Sequence, residues 1–328
     1  MYHLNVMGKT KIWFAISGTL IVISIISIIM FGLNLGIDFT GGSMMDVKFN
    51  DIQRPSQDEI KNLFSENNID DIAIQAVGDN EYIIRMSDIS EETHSTILDK
   101  LNEKFTPKDS NNADVQLDSE NGSQIELRTA KTDIVEEKRF DSIGPIISQE
   151  LKQKAIWAII FVIIAIILYI AYVFRKVSKP VESWKYGISA IIALAHDIII
   201  ITGVFSLLGY FMNVQIDAFF ITALLTILGY SVNDTIITFD RIRENLHKKT
   251  NLTFKDLINL SVNETITRSI NTSFTTFIVL TSVFLFGGET VKYFVLALMM
   301  GIIIGTYSSI FVASPFLMVW YRSKYKQA

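Results

Sequence analysis

Asp197 and Asp234 are carboxylates placed among residues suited to lipid: Asp197 lies in LAHDIII and Asp234 in LGYSVNDTIITFDRIREN, both within long apolar runs. An ionised side chain at mid-bilayer costs roughly 2.5 to 3.5 kcal/mol on insertion scales, so each acid is a functional candidate. The chemistry open to it there is proton or ion binding. Arg268 heads another polar stretch, TRSINTSFTT, and an always-charged guanidinium facing Asp234 would keep that acid ionised, whereas a desolvated acid without it would take a proton. Alternation between those environments would make Asp234 a carrier, with about 2.3 kcal/mol per charge per 100 mV available from the membrane potential. Ser231, Asn233 and Thr235 flank Asp234, and Asn271 follows Arg268, as supporting polar groups. The plainer alternatives are hydrogen bonding between helices, strongest for Asp197 beside His196, and snorkelling for Arg268.

Six spans must position these groups. The 328-residue chain is 49% hydrophobic, and the apolar residues gather at about 12–33, 155–174, 186–208, 215–239, 268–287 and 293–319. Each run offers the roughly 20 residues that a membrane helix needs. The first has no small-residue cleavage site and is expected to remain as a signal anchor. Lys and Arg collect before the first span, between the second and third, after the fourth and at the C-terminus, which places both termini in the cytoplasm. Residues 38–150 then face outward; they hold 11 Lys+Arg against 25 Asp+Glu, a net −14, and the remainder carries +9. Such a distribution is poor material for nucleic-acid binding. With no cysteine, disulfides and thiolate metal sites are excluded. No metal or other cofactor is expected.

The expected organisation is a cytoplasmic N-terminus and first helix (1–37), an extracytoplasmic α+β domain (38–150), and helices two to six with a cytoplasmic C-terminus (151–328). Within the outer domain, Met45, Val47 and Phe49 alternate as a strand, and Ser56 and Glu59 form a capping box before a helix carrying Ile60, Leu63 and Phe64. A strand through Ile72, Ile74 and Ala76, a GDN turn, and the strand EYIIRM follow. Ser90 then caps a helix with Ile97, Leu101 and Phe105 on one stripe, the segment near 106–123 is a polar loop with one short strand at most, and 125–141 supplies one or two more strands. The order β-α-β-β-α-β predicts a ferredoxin-like domain. Its lone His94 reads as solvated on a helix surface.

Three other motifs have plain readings. MGKT at 7–10 lacks the earlier glycine of a phosphate loop, where His3 stands, and reads as a basic membrane flank. GYS at 229–231 with His196 suggests an intramembrane serine protease, but Asn233 replaces the second glycine of the nucleophile elbow, and an enzyme is not expected. GIIIG at 301–305 permits close helix approach, inside the bundle or with another subunit.

The stretches GIDFTGGS (36–43), FDSIGPIISQEL (140–151), LAHDI (194–198), LGYSVNDTIITFDRIREN (228–245) and RSINTSFTT (268–276) together resemble the SecD/SecF family, and within it the SecF subunits of bacterial protein export. The resemblance implies an RND-type half bundle of six transmembrane helices in the bacterial cytoplasmic (inner) membrane. It also implies partners: SecD, YajC, the SecYEG channel, SecA indirectly, and unfolded preprotein, with the proton motive force assisting late translocation. Asp234 and Arg268 correspond to the family's intramembrane acid and essential arginine; Asp197 joins them as a coupling candidate. Gly36, Asp38, Phe39, Gly41, Gly42, Asp240 and Arg241 stand in the family motifs. The coupling ion, proton or sodium, stays open, and the single half requires a partner with the other. Two further readings are a non-transducing assembly subunit and half of an RND exporter of small amphiphiles.

Overall fold

The computed structural model describes residues 4–50, 54–105, 134–175, 181–248 and 251–325. It divides into two compact units, Ile37–Leu151 and Met1–Gly36 with Lys152–Ala328.

In the first unit, β1 (Gly42–Phe49) turns Met45, Val47 and Phe49 to one face, each fully buried. α3 (Gln57–Ser65) starts at the expected box: Ser56 Oγ accepts from the Glu59 amide at 3.3 Å, and Glu59 Oε2 accepts from the Ser56 amide at 2.8 Å. Those bonds favour the carboxylate and hold Glu59 below the usual glutamate value. β2 (Ala73–Val77), β3 (Glu81–Met86), α4 (Glu91–Phe105) and β4 (Val135–Ile143) complete the order. The antiparallel sheet runs β2-β3-β1-β4, the ferredoxin-like arrangement, and Ile60, Leu63, Phe64, Ile97 and Leu101 of the two helices pack into its core. The strand expected to start at Ile72 begins at Ala73. The loop and any strand expected between 106 and 133 lie outside the described residues.

His94 corrects the sequence reading. It is 7% exposed, its Nε2 lies 2.6 Å from Glu137 Oε1, and its ring stacks on Phe140 at 3.7 Å. The cause is its phase on α4, on the buried stripe with Ile97 and Leu101, and a bulge in β4 brings both partners to it. β4 shifts register between Asp46 and Val47, so Val47 faces Glu137 while Met45 faces Phe140, and strand residues of opposite parity reach the same face.

The second unit contains, among the described residues, six helices long and apolar enough to cross a membrane. They are α1 (Thr10–Phe31), α5 (Pro145–Phe174), α6 (Ser183–Met212), α7 (Ala218–Lys248), α8 (Phe254–Phe286), and a sixth formed by α9 (Glu289–Ser308), a π-helical turn (Ser309–Ala313) and α10 (Ser314–Tyr325). Several outrun their apolar stretches because their ends have partners of their own. α8 begins fourteen residues before Arg268, capped by Thr253, with Phe254, Leu257, Ile258 and Val262 buried. Near that end the N-terminal segment docks: the Val6 amide donates to Asn259 Oδ1 at 2.8 Å and the Leu4 amide to Asn263 Oδ1 at 2.8 Å. The ends of α1 and α6 are joined as well, Gly36 N donating to Ile216 O at 2.8 Å and Ile216 N to Asn34 O at 2.7 Å.

Small residues set the helix spacing. A Cβ on Gly203 would lie 2.3 Å from Ser24 Cβ, and one on Gly301 2.2 Å from Ile227 Cγ1. GIIIG therefore serves contact inside the bundle, between α9 and α7.

Candidate functional site

Asp197, on α6, is fully buried. Its Oδ2 accepts from Ser231 Oγ of α7 at 2.6 Å and from Ser308 Oγ of α9 at 2.8 Å, and its Oδ1 lies 2.9 Å from His196 Nδ1. Three membrane helices meet on one carboxylate. Stacked beside His196 is Tyr307, whose hydroxyl shares a 3.1 Å hydrogen bond with Ser17 of α1. The order Ser–Asp–His differs from that of a nucleophile and base, because the serine hydroxyl donates to the acid and not to the imidazole.

Asp234 is equally deep, 3% exposed, yet its Oδ2 has no hydrogen-bond partner among the described residues. Ser269 of α8 and Thr306 of α9 act on it through their hydroxyls, and Arg268 through its charge. None closes onto Oδ2. Ser269 Oγ is itself buried without a partner among the described residues, while Thr306 Oγ1 is engaged with Ile302 O at 2.8 Å and with Ser273 Oγ at 2.5 Å. An acid with an unbonded oxygen beside a guanidinium that has not closed on it can gain or lose a proton with little rearrangement of its own.

The other expected residues separate. Ser231 donates to Asp197 of α6 and not to Asp234, which lies about one turn further along its own helix. Thr235 is buried and donates to Ser231 O at 3.3 Å. Asn233, Arg268 and Asn271 are exposed. Arg241 binds Glu264 Oε2 at 2.7 Å and Glu244 Oε2 at 2.5 Å, and Asp240 pairs with Arg243. Of the glycine motif, Gly36 donates its amide to Ile216 O beside the Leu35–Ile216 bridge, Asp38 and Phe39 are half-buried in α2 (Ile37–Thr40), and Gly41 and Gly42 have φ of +76° and +118°. A Cβ on Gly42 would sit 2.5 Å from Met86 O, so conformation and space both demand glycine.

Sequence reasoning missed Ser269, Thr306 and Ser308. The signal available was weak: hydroxyls in the polar run after Arg268 and in TYSS of the sixth span, with nothing to say which helix they would meet.

Similarity to known proteins extends over nearly the whole chain. A family model described as "Protein export membrane protein SecD/SecF, C-terminal" matches residues 124–323, and one described as "SecD/SecF GG Motif" matches residues 26–51. The protein translocase subunit SecF of Anaerolinea thermophila is 35% identical over 98% of this chain and 96% of its own length. That of Thermobaculum terrenum is 36% identical over 94% of this chain and 91% of its own. The crystal structure of SecDF from Thermus thermophilus superposes with a TM-score of 0.75 at 28% identity, over 97% of this chain and 39% of that one. The chain thus spans about two fifths of that SecDF chain.

Proposed function

Because the chain belongs to the SecD/SecF protein-export family, as a multi-pass membrane protein of the SecF translocase-subunit type, we propose that it pairs with SecD and couples the proton motive force to preprotein export through Asp234 and Arg268. The observation that supports this reading is the open geometry at Asp234: a buried carboxylate oxygen without a hydrogen-bond partner among the described residues, and Arg268 acting on the group through its charge. Closure of Arg268 onto Asp234 would expel the proton; withdrawal would admit one. Asp197 joins the coupling site through its place in the same bundle.

A partner is supported by the outer surface of α7 and α8. Asn233, Arg268 and Asn271 are exposed on spans whose other exposed residues include Phe274, Ile278 and Val279. A polar face toward lipid is costly, and a second bundle would cover it. This chain covers 39% of the SecDF chain, which leaves length there for a second bundle. On this reading SecD is the partner in the bacterial cytoplasmic membrane, both termini are cytoplasmic, the ferredoxin-like unit is extracytoplasmic, and the pair acts with YajC at the SecYEG channel on unfolded preprotein delivered by SecA.

The test is export into vesicles that hold the channel, SecD and this chain. Asp234→Asn, assembled at normal levels, is expected to lose gradient-dependent stimulation. Unchanged stimulation would sink the coupling role and leave the assembly role, which the fully bonded Asp197 centre also suits. Altered resistance to amphiphiles on depletion, without accumulation of precursor proteins, would favour the exporter instead.

A further inference from the structure

Asp197 and Asp234 lie against the same stretch of the sixth helix. Ser308 bonds Asp197, Thr306 acts on Asp234, and Gly305 lies against α7, where a Cβ would approach Ser231 Cβ to 2.9 Å. On α7 the two contacts are likewise close, Ser231 toward Asp197 and Asp234 one turn further on. The π-turn Ser309–Ala313 follows at once, and Ser314 Oγ donates to Ser309 O at 3.1 Å across its five-residue step. Such turns break helical regularity and mark places where a helix can shift register.

From this we infer that Asp197 is a positioning residue: with Ser231 and Ser308 it fixes Gly305–Ser309 against α7, and so fixes where Thr306 stands beside Asp234. Asp197 lacks the features of a carrier. Its Oδ2 accepts from two hydroxyls, and His196 Nδ1 lies 2.9 Å from Oδ1; with the proton on Nδ1, His196 Nε2 is left as a buried acceptor without a partner among the described residues. The groups facing Asp197 are His196 on its own helix, Ser231 from α7 and Ser308 from α9, with the Tyr307 phenol beside the imidazole. Those acting on Asp234 are Arg268 and Ser269 from α8 and Thr306 from α9. The inference rests on the coupling role proposed for Asp234, but it makes a separate claim about geometry.

The experiment uses the full chain with SecD in lipid vesicles and reads the infrared carbonyl band of protonated Asp234, assigned by its loss in Asp234→Asn. In Ser308→Ala and in Asp197→Asn that band is expected to change frequency, and in Ser308→Thr, which keeps the hydroxyl, to return to its original place. Gradient-driven export is expected to fall about ten- to a hundredfold in the first two variants, the scale of a small misplacement at a reacting group. Ser231→Ala removes the other donor and stands in if Ser308→Ala does not assemble. An Asp234 band unmoved by these truncations would reduce Asp197 to a structural bond. A second titrating band that vanishes in Asp197→Asn would make Asp197 a carrier in its own right. Should Asp234→Asn leave export intact, the coupling role fails while the band still decides the positioning claim.

Discussion

Asp197 and Asp234 are the same residue type, in neighbouring membrane helices, both almost wholly removed from solvent, and they have opposite surroundings. Asp197 is held by three side chains from three helices. Asp234 has hydroxyls and a cation nearby and an oxygen that none of them bonds. Burial therefore does not make a carboxylate functional by itself; the number of donors that close on it separates a fixed strut from a group free to exchange a proton. A satisfied polar centre inside a bundle rigidifies, whereas an unsatisfied one stores a cost that a proton or a cation can relieve.

The largest effect expected from this contrast is on stability. Asp197→Leu strands His196 and two serines and should cost about 3 to 5 kcal/mol, the range for breaking a buried pair. Asp234→Leu, which removes a carboxylate with one oxygen unbonded among the described residues, should cost clearly less in the same thermal unfolding in detergent. Equal losses in the two variants would break the comparison. A middle effect tests the contact that brings α9 to both acids: Gly301→Ala forces a methyl into Ile227 and should cost about 1 to 3 kcal/mol. Gly229→Ala, on the open side of α7 with nothing within 4 Å of its Cβ, should instead stabilise by up to about 1 kcal/mol. If both glycines tolerate alanine equally, the α7–α9 seam is looser than the Asp197 bonds imply.

The smallest effect belongs to a carboxylate in water. Glu59, fully exposed, is held below its ordinary value of 4.5, first by the Ser56 backbone bond. A depressed acid contributes stability that is present above its unfolded value and is lost as pH falls through the lower folded one. Acid unfolding of the chain should thus start slightly later in Glu59→Gln, which keeps a capping oxygen and has no proton to take. No difference between pH 5 and 3 would mean that the box adds nothing measurable to that helix.

The sequence made some of this legible and left some closed, for physical reasons. Hydropathy set the six spans, since twenty apolar residues admit few alternatives, and strict alternation with a capping box outlined the ferredoxin-like sheet. The helix overruns were hidden because polar ends such as 254–265 are stabilised by tertiary neighbours, not by local pattern. His94 lies on the same helical stripe as Ile97 and Leu101, and its partners stayed hidden because a single bulge in β4 reverses strand parity. Asp234 and Arg268 could be singled out by cost, but Ser231's true partner could not: its bond to Asp197 spans 34 residues, and that of Ser308 spans 111. Periodicity identifies the face a residue occupies, not the helix it will meet.

The π-turn at Ser309–Ala313 has a consequence for length variation. A π-turn holds one residue more than an α-helix would use, so everything after it is rotated by about 100° relative to an unbroken helix. The buried residues Leu317 and Met318 face inward because the π-turn takes up that extra residue. Deleting one position from 309 to 313 would restore a regular helix and leave them facing inward, whereas the same deletion within α9, away from the π-turn, would turn them toward the outside. The sixth span can therefore lose one residue at the π-turn without turning its far end, and elsewhere along its helices it cannot.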